Sequence, residues 1–207
     1  MEKPEVIFVV DPMCSWCWGF APVIEKIRSS YEEQYNFSLT VGGLRKAGEM
    51  AWDEKTKRYL RGHWEEVSRK TGQPFDLSLF DKTVFEYDTT PACKAVVTVR
   101  ELLGTEQAFR YLHAIQSAFY TQGIDITNPR LLQGYYEQLF GNSAKFAFFF
   151  LSERAETLTE HDFAKARAMG ATAFPSVVLI DKEGHMMCQK GYRSENEMKQ
   201  LLEKRDA

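Results

Sequence analysis

Two cysteines that lie where a short strand passes into a helix constrain the fold of this chain more than any other feature. Cys14 and Cys17 are separated only by serine and tryptophan. The β-branched run Glu5–Val10 directly before them predicts a buried strand. From Ser15 onward, apolar residues recur at helical spacing, and a second strand is predicted over residues 37–43. The segment is therefore predicted to be strand, C-x-x-C, helix, strand.

The C-terminal end of the sequence predicts a matching piece of sheet. Residues 176–181 ("SVVLID") and 185–191 ("HMMCQKG") are predicted strands, and the turn sequence "DKEG" between them predicts a hairpin. Ser194 followed by Glu197 has the pattern of a capping box and predicts a final helix.

More than 100 residues between these two ends carry helical patterns. The predicted helices cover residues 50–72, 91–104, 105–123, 129–141 (capped by Asn128) and 159–170, the last opening with a capping pattern at Thr159. The fold class is therefore α/β, with one domain split in sequence by a helical insertion. We expect a discontinuous α/β domain at residues 1–45 and 170–207, and an inserted helical domain at 46–169.

Composition and charge exclude several classes of function. The chain has 207 residues, of which 44% are hydrophobic and 27% charged, as in ordinary globular proteins. A formal net charge of −3 gives no reason to expect nucleic acid or an anionic membrane as a partner. The apolar run after Lys3 spans only residues 6–10, which is too short for a secretory signal. We therefore expect a cytoplasmic protein with no membrane association.

The motifs together resemble the DsbA-like branch of the thioredoxin-fold superfamily, and within it the FrnE-like subgroup of thiol–disulfide oxidoreductases. The C-x-x-C opens the first helix, and Pro22 follows Cys17 by five residues. The segment 170–180 ("GATAFPSVVLI") resembles the cis-proline loop of the family, and 89–100 ("TTPACKAVVTVR") a helix start in its inserted domain. The resemblance implies a thioredoxin fold with a large helical domain inserted between its halves, and protein-disulfide isomerase activity.

The two cysteines are the predicted catalytic residues. The unpaired N–H groups at a helix N-terminus favour a thiolate at Cys14, and Cys17 lies about one turn further in. The hypothesis is that Cys14 attacks the substrate disulfide and Cys17 resolves the mixed disulfide. Many family members place a buried acid at the position of Phe8, and Asp11 is the nearest acid in sequence, as a turn residue or as a base.

Three further residues are predicted to contact substrate. In the family that this chain resembles, the residue before the cis proline offers its backbone to an extended substrate peptide. That residue is Phe174 here, with Phe174–Pro175 as the cis peptide bond. Trp16, between the cysteines, is a candidate apolar contact for substrate. The expected substrates are protein or small-molecule disulfides and dithiols.

Two other classes of function are compatible with this pattern of residues. A glutathione-dependent transferase or isomerase of the kappa-class type has the same scaffold, but those relatives normally carry serine at the position of Cys14 and need no second cysteine. Cys17 therefore favours the oxidoreductase, with glutathione at most a redox partner and no resident cofactor. The third class is a peptide-binding module whose C-x-x-C is idle.

The remaining cysteines, histidines and aromatic residues are assigned packing roles. Cys93 and Cys188 do not form a second close pair, so a structural zinc site is not expected, and both are predicted to be buried, inert thiols. Surface or packing roles are expected for the four scattered histidines. The aromatic residues of the insertion are expected to be mostly core: Phe109, Phe119, Tyr135, Tyr136, Phe140, Phe146, Phe148 and Phe149.

Overall fold

A computed structural model describes residues 3–203 and contains a four-stranded sheet. The strands are β1 (Glu5–Val10), β2 (Asn36–Val41), β3 (Ser176–Ile180) and β4 (Met186–Lys190), in the spatial order β2-β1-β3-β4. β1 and β2 pair in parallel, whereas β1–β3 and β3–β4 pair antiparallel. The parallel pair requires a crossover, which the first helix supplies. The predicted C-terminal hairpin is confirmed.

Eight α-helices complete the described part of the chain, and six of them lie between β2 and β3. The helices are α1 (Ser15–Tyr31), α2 (Glu54–Thr71), α3 (Thr90–Leu103), α4 (Thr105–Gln122), α5 (Pro129–Phe140), α6 (Ala144–Phe150), α7 (Glu153–Ala168) and α8 (Glu195–Glu203), with a short 3₁₀ helix at Leu77–Asp81. The predicted thioredoxin fold with an inserted helical domain is confirmed. The boundaries at 45/46 and 169/170 stay a prediction.

Strand β1 is covered on both faces, which explains its continuous apolar sequence. On one face, Val6, Phe8 and Val10 belong to the large core that the sheet shares with the helices. On the other face, Ile7 and Val9 join a smaller cluster with the C-terminal end of α7 and the segment after it. The C-x-x-C thus follows the most deeply buried strand of the sheet. In residues 3–203, no helix combines the length and hydropathy that crossing a membrane requires.

The predicted start of the helix at Thr159 is wrong, because α7 begins two turns earlier. Ser152 is its N-cap and accepts a hydrogen bond from the Ala155 N–H at 3.2 Å. Thr159 lies inside the helix, where its hydroxyl donates to the Ala155 carbonyl at 2.7 Å. Asp162, three residues after Thr159, is the acid of the predicted capping pattern, but it is buried and pairs with Arg100 of α3.

Phe148 and Cys188 are exceptions to the predicted burial. The run of phenylalanines in α6 is amphipathic: Phe146 and Phe150 are buried, but Phe148 is 83% exposed because it lies on the opposite face. Cys188 is half-buried, since β4 is an edge strand whose side chains are mostly partly or fully exposed.

Candidate active site

Cys14 lies at the boundary between the β1–α1 loop and helix α1. It is the N-cap residue, with an extended backbone, and its carbonyl accepts hydrogen bonds from the N–H groups of Cys17 and Trp18 at 2.9 and 3.1 Å. Its thiol donates to the carbonyl of Phe174 at 3.4 Å. The residue is 6% exposed. Cys14 is therefore at the helix terminus, as predicted, and faces the loop before β3.

Cys17 lies one turn into α1, behind Cys14. It is 1% exposed, and its sulfur accepts a hydrogen bond from the Asp11 N–H at 3.5 Å. Burial raises the pKa of the Cys17 thiol well above its ordinary value, and its hydrogen bond with Cys14 raises that pKa further. All four cysteines of the chain are thiols in this structure. The two predicted catalytic residues are thus in contact, with the second more shielded than the first.

Phe174 presents its carbonyl and its ring to different partners. The Phe174–Pro175 peptide bond is cis, as predicted, and the Phe174 carbonyl faces the Cys14 thiol. The Phe174 ring packs on the backbone of Gly42, just after β2, where an added Cβ would lie 2.0 Å from the ring. The backbone of Phe174, rather than its ring, is therefore the part directed at the cysteines.

Trp16 belongs to a small aromatic cluster that the sequence did not reveal in full. Its half-buried ring lies 5.9 Å from the ring of Tyr192, which in turn meets Phe20 edge to face. Tyr192 follows Gly191, whose N–H donates to the Pro175 carbonyl at 2.8 Å. Tyr192 was missed because it is far from the cysteines in sequence, although it directly follows the predicted strand 185–191.

Asp11 is fully buried and is the centre of the polar contacts beneath the cysteines. One carboxylate oxygen accepts from the Met13 N–H at 2.8 Å. The other accepts from the Leu44 N–H at 2.7 Å, the Thr89 hydroxyl at 2.8 Å and the Cys93 thiol at 3.3 Å. Burial raises the pKa of Asp11, and these four donors partly offset the rise. Asp11 therefore joins the end of β1 to the segment after β2 and to the start of α3.

Cys93 is buried at the start of α3, as predicted, but its thiol is not without a partner. It donates to Asp11, and burial together with the Asp11 charge raises the pKa of Cys93 well above its ordinary value. Within residues 3–203, one cluster of side chains has metal-ligand spacing, Asp181, Glu183 and His185 in the exposed β3–β4 turn, and it contains no cysteine.

The segment after α2 holds the first turns of α1 in place. The indole N–H of Trp18, a buried core residue, donates to the Pro74 carbonyl at 3.1 Å. Pro22 has no N–H, so it cannot donate to the Trp18 carbonyl as a helix interior residue would. The side-chain amide of Gln73 donates to that carbonyl instead, at 3.0 Å. The helical insertion thus satisfies a carbonyl that Pro22 leaves unpaired.

Fold and site together define a thioredoxin-fold protein with a C-x-x-C at the start of its first helix. Residues 7–200 match the sequence profile of a family described as Thioredoxin, and the chain belongs to that family. A crystal structure from Nitrosomonas europaea, described as a candidate protein disulfide isomerase, is 33% identical with a TM-score of 0.87, and the match covers 98% of this chain and 97% of that one.

Two further proteins are similar to this chain at lower identity. The cytosolic disulfide reductase DsbM from Pseudomonas aeruginosa is 22% identical with a TM-score of 0.77, and the match covers 97% of this chain and 98% of DsbM. The ClpXP adapter protein SpxH from Bacillus subtilis is 23% identical over 88% of this chain. The chain spans about 60% of the length of that curated relative.

Proposed function

We propose that this protein is a thiol–disulfide oxidoreductase or isomerase in which Cys14 attacks substrate and Cys17 resolves the mixed disulfide. One observation carries the proposal: the Cys14 thiol, at the helix boundary, donates to the Phe174 carbonyl, and the more deeply buried Cys17 lies directly behind it, with its N–H donating to the Cys14 carbonyl at 2.9 Å. The similarity to the Nitrosomonas europaea protein, which is described as a candidate protein disulfide isomerase, supports the same class of activity.

The proposed reaction consists of two exchanges. The Cys14 thiolate bonds to one sulfur of a substrate disulfide, and the other substrate sulfur leaves as a thiolate. Cys17 then loses its proton and attacks the Cys14 sulfur, so that the second substrate sulfur also leaves as a thiolate. The two cysteines lose two electrons in forming a disulfide, and the substrate disulfide gains them. The reverse sequence oxidises a substrate dithiol.

The Phe174 backbone and the Trp16 ring are the proposed substrate contacts. The Phe174 carbonyl already accepts a hydrogen bond from Cys14, so a substrate strand laid beside the loop at 174–175 would bring its sulfur to that thiol. The Trp16 ring, supported by Tyr192, offers an apolar surface next to the same cysteine. Both assignments rest on their position beside Cys14.

Glutathione is the proposed small-molecule redox partner, and the cytoplasm the proposed compartment. The cytosolic reductase DsbM shares the fold, and one of its structures contains GSH. A dithiol that is poised for exchange is compatible with a reducing compartment, where C-x-x-C pairs are more often catalytic than structural. The kappa-class alternative is disfavoured because a second cysteine, Cys17, lies one helical turn from Cys14, and a transferase of that type needs only the first position.

A thiol count tests the proposal. After oxidation with excess oxidised glutathione and removal of reagent, denatured protein should retain two free thiols, those of Cys93 and Cys188. Insulin disulfide reduction should be measurable for the parent and lost in Cys14→Ala. Four free thiols with no glutathione adduct would contradict the proposal. Peptide binding that survives alkylation of Cys14, in a protein with no reductase activity beforehand, would favour a binding module.

A further inference from the structure

The proposed reaction requires a proton to leave Cys17, and the surroundings of that thiol make this difficult. Cys17 is 1% exposed, and its pKa is raised chiefly by burial. Phe8 occupies the position where a buried acid would be expected. Asp11 already accepts four hydrogen bonds, which use about as many sites as a carboxylate offers. The proton of Cys17 must therefore reach solvent by a route that uses neither position 8 nor Asp11.

A groove between helices α1 and α4 reaches Cys17 from the side of the helical insertion. It has a volume of about 820 Å³. Its α1 wall contains Cys17, Ala21, Ile24 and Arg28, which recur at the spacing of one helical face. Gln116 of α4 also lines it. We call this feature the α1–α4 groove.

The register of the two helices places Gln116 near the Cys17 end of the groove. Arg28 of α1 forms an ion pair with Glu106 of α4, and the Trp18 ring lies 5.6 Å from the ring of His113. The helices are therefore antiparallel along the groove. At about 1.5 Å per residue, Cys17 is about 16 Å from Arg28, and Gln116 is about 15 Å from Glu106 in the same direction.

Gln116 is buried without a protein partner for its amide nitrogen. The residue is 1% exposed, and Nε2 has no acceptor within residues 3–203. A buried amide donor in this state is destabilising unless it bonds to water or a ligand. A polar position in a cavity of this size accommodates ordered water. The unpartnered amide nitrogen therefore indicates water inside the groove, independently of the volume of the cavity.

We propose that the α1–α4 groove is the route by which the proton of Cys17 exchanges with solvent, and that Gln116 holds water at its inner end. The inference rests on the proposed function, since it concerns the resolving step. Gln116 acts as a positioning residue: it donates to water, that water accepts the proton of the Cys17 thiol, and the resulting thiolate attacks the Cys14 sulfur. The proton then passes to bulk solvent along the groove.

Several other groups face Cys17 and bear on the same titration. Cys14 lies on the same helix, and Asp11 comes from the β1–α1 loop. Helix α4 contributes Tyr120, whose own pKa is raised by burial and by the nearby cysteines, and His113 lines the groove. Asp11 raises the pKa of Cys17 through its charge, although its N–H lowers it. The test must therefore separate Gln116 from Asp11.

The experiment follows the resolving step directly with Ellman's reagent in the full-length chain carrying Cys188→Ala. Cys14 releases one equivalent of 5-thio-2-nitrobenzoate when it forms the mixed disulfide, and attack by Cys17 releases a second. Stopped-flow absorbance gives the rate of the second release at each pH, and the pH at which this rate is half of its high-pH plateau is the midpoint of the second phase. Cys17→Ala should release one equivalent only. If the parent releases only one, the proposed function fails, independently of the groove.

Gln116→Leu should raise the midpoint of the second phase by at least about half a pH unit. The rate of the second phase should then be about threefold slower at neutral pH and unchanged at the high-pH plateau. Gln107→Leu, on the same helix but outside the groove lining, is the matched control and should leave the profile unchanged. Ala21→Leu narrows the groove one turn from Cys17 and should shift the midpoint in the same direction.

Ala21→Leu also replaces Gln116→Leu as the test if the latter fails to fold. An unchanged midpoint in the folded variant, with the second equivalent still released, would overturn the proposal. A midpoint that moves in Asp11→Asn but not in the groove variants would assign the proton to Asp11 and would overturn it as well.

Discussion

Replacing Gly42 by alanine should disturb the loop beside Cys14 through a single contact. An added Cβ would lie 2.0 and 2.1 Å from two atoms of the Phe174 ring, far inside van der Waals contact. Gly42 has no positive φ, so the cost comes from the ring and not from the backbone. Overpacking of this kind costs about 1–3 kcal/mol in the free energy of unfolding. Gly42→Ala should destabilise by that amount in urea denaturation.

A double-mutant cycle with Phe174→Ala isolates the cause. Removal of the ring removes the three atoms nearest to the added Cβ, so the cost of Gly42→Ala should fall by at least about 1 kcal/mol in the Phe174→Ala background. Gly62→Ala is the control, because that helical glycine has open space around it and should gain up to about 1 kcal/mol. An equal cost of Gly42→Ala in both backgrounds would refute the reasoning.

Three further predictions concern the contacts around the site. Asp162→Ala should cost about 3 kcal/mol in chemical denaturation, because it removes the carboxylate that pairs with the half-buried guanidinium of Arg100 and that accepts the hydrogen bond from β2. A loss below about 1 kcal/mol would mean that the pair is solvated. The double change Cys93→Ala and Cys188→Ala should keep insulin reduction within a few-fold, and a loss as large as that of an active-site cysteine, in folded protein, would place them in a relay. Burial raises the pKa of Asp11 above 3.8, so the charged carboxylate is disfavoured in the folded state. The parent protein should therefore lose stability relative to Asp11→Asn as the pH rises from about 3.8 through the raised pKa. A stability difference that stays constant over that range would contradict the last prediction.

The parts of the fold that local sequence specifies were predicted. The buried strand before Cys14, the hairpin around "DKEG" and the capping box at Ser194 depend on residues within a few positions of one another. The box is present, with the Glu197 carboxylate accepting from the Ser194 N–H at 2.7 Å. Such signals are readable because short-range hydrogen bonds and side-chain periodicity determine them.

The parts that depend on distant contacts were not predicted. Asp11 meets Thr89 and Cys93 across 78 and 82 residues of chain, so sequence left its role open between turn residue and base. The contact between Gly42 and the Phe174 ring is likewise visible only once β2 and β3 lie in one sheet. At Thr159, a plausible capping pattern competed with Ser152, and tertiary pairing of Asp162 with Arg100 decided against it.

Trapping of mixed disulfides in two variants, each lacking one of the two active-site cysteines, tests the central claim most directly. Cys17→Ala and Cys14→Ala are purified from the same cells with thiols blocked at lysis, and adducts are compared by non-reducing electrophoresis and mass spectrometry. Because Cys14 is the more accessible sulfur at the helix boundary and Cys17 the resolving thiol, Cys17→Ala should accumulate covalent adducts with substrates or glutathione, and Cys14→Ala few. Equal trapping by Cys14→Ala would contradict the assignment of the nucleophile.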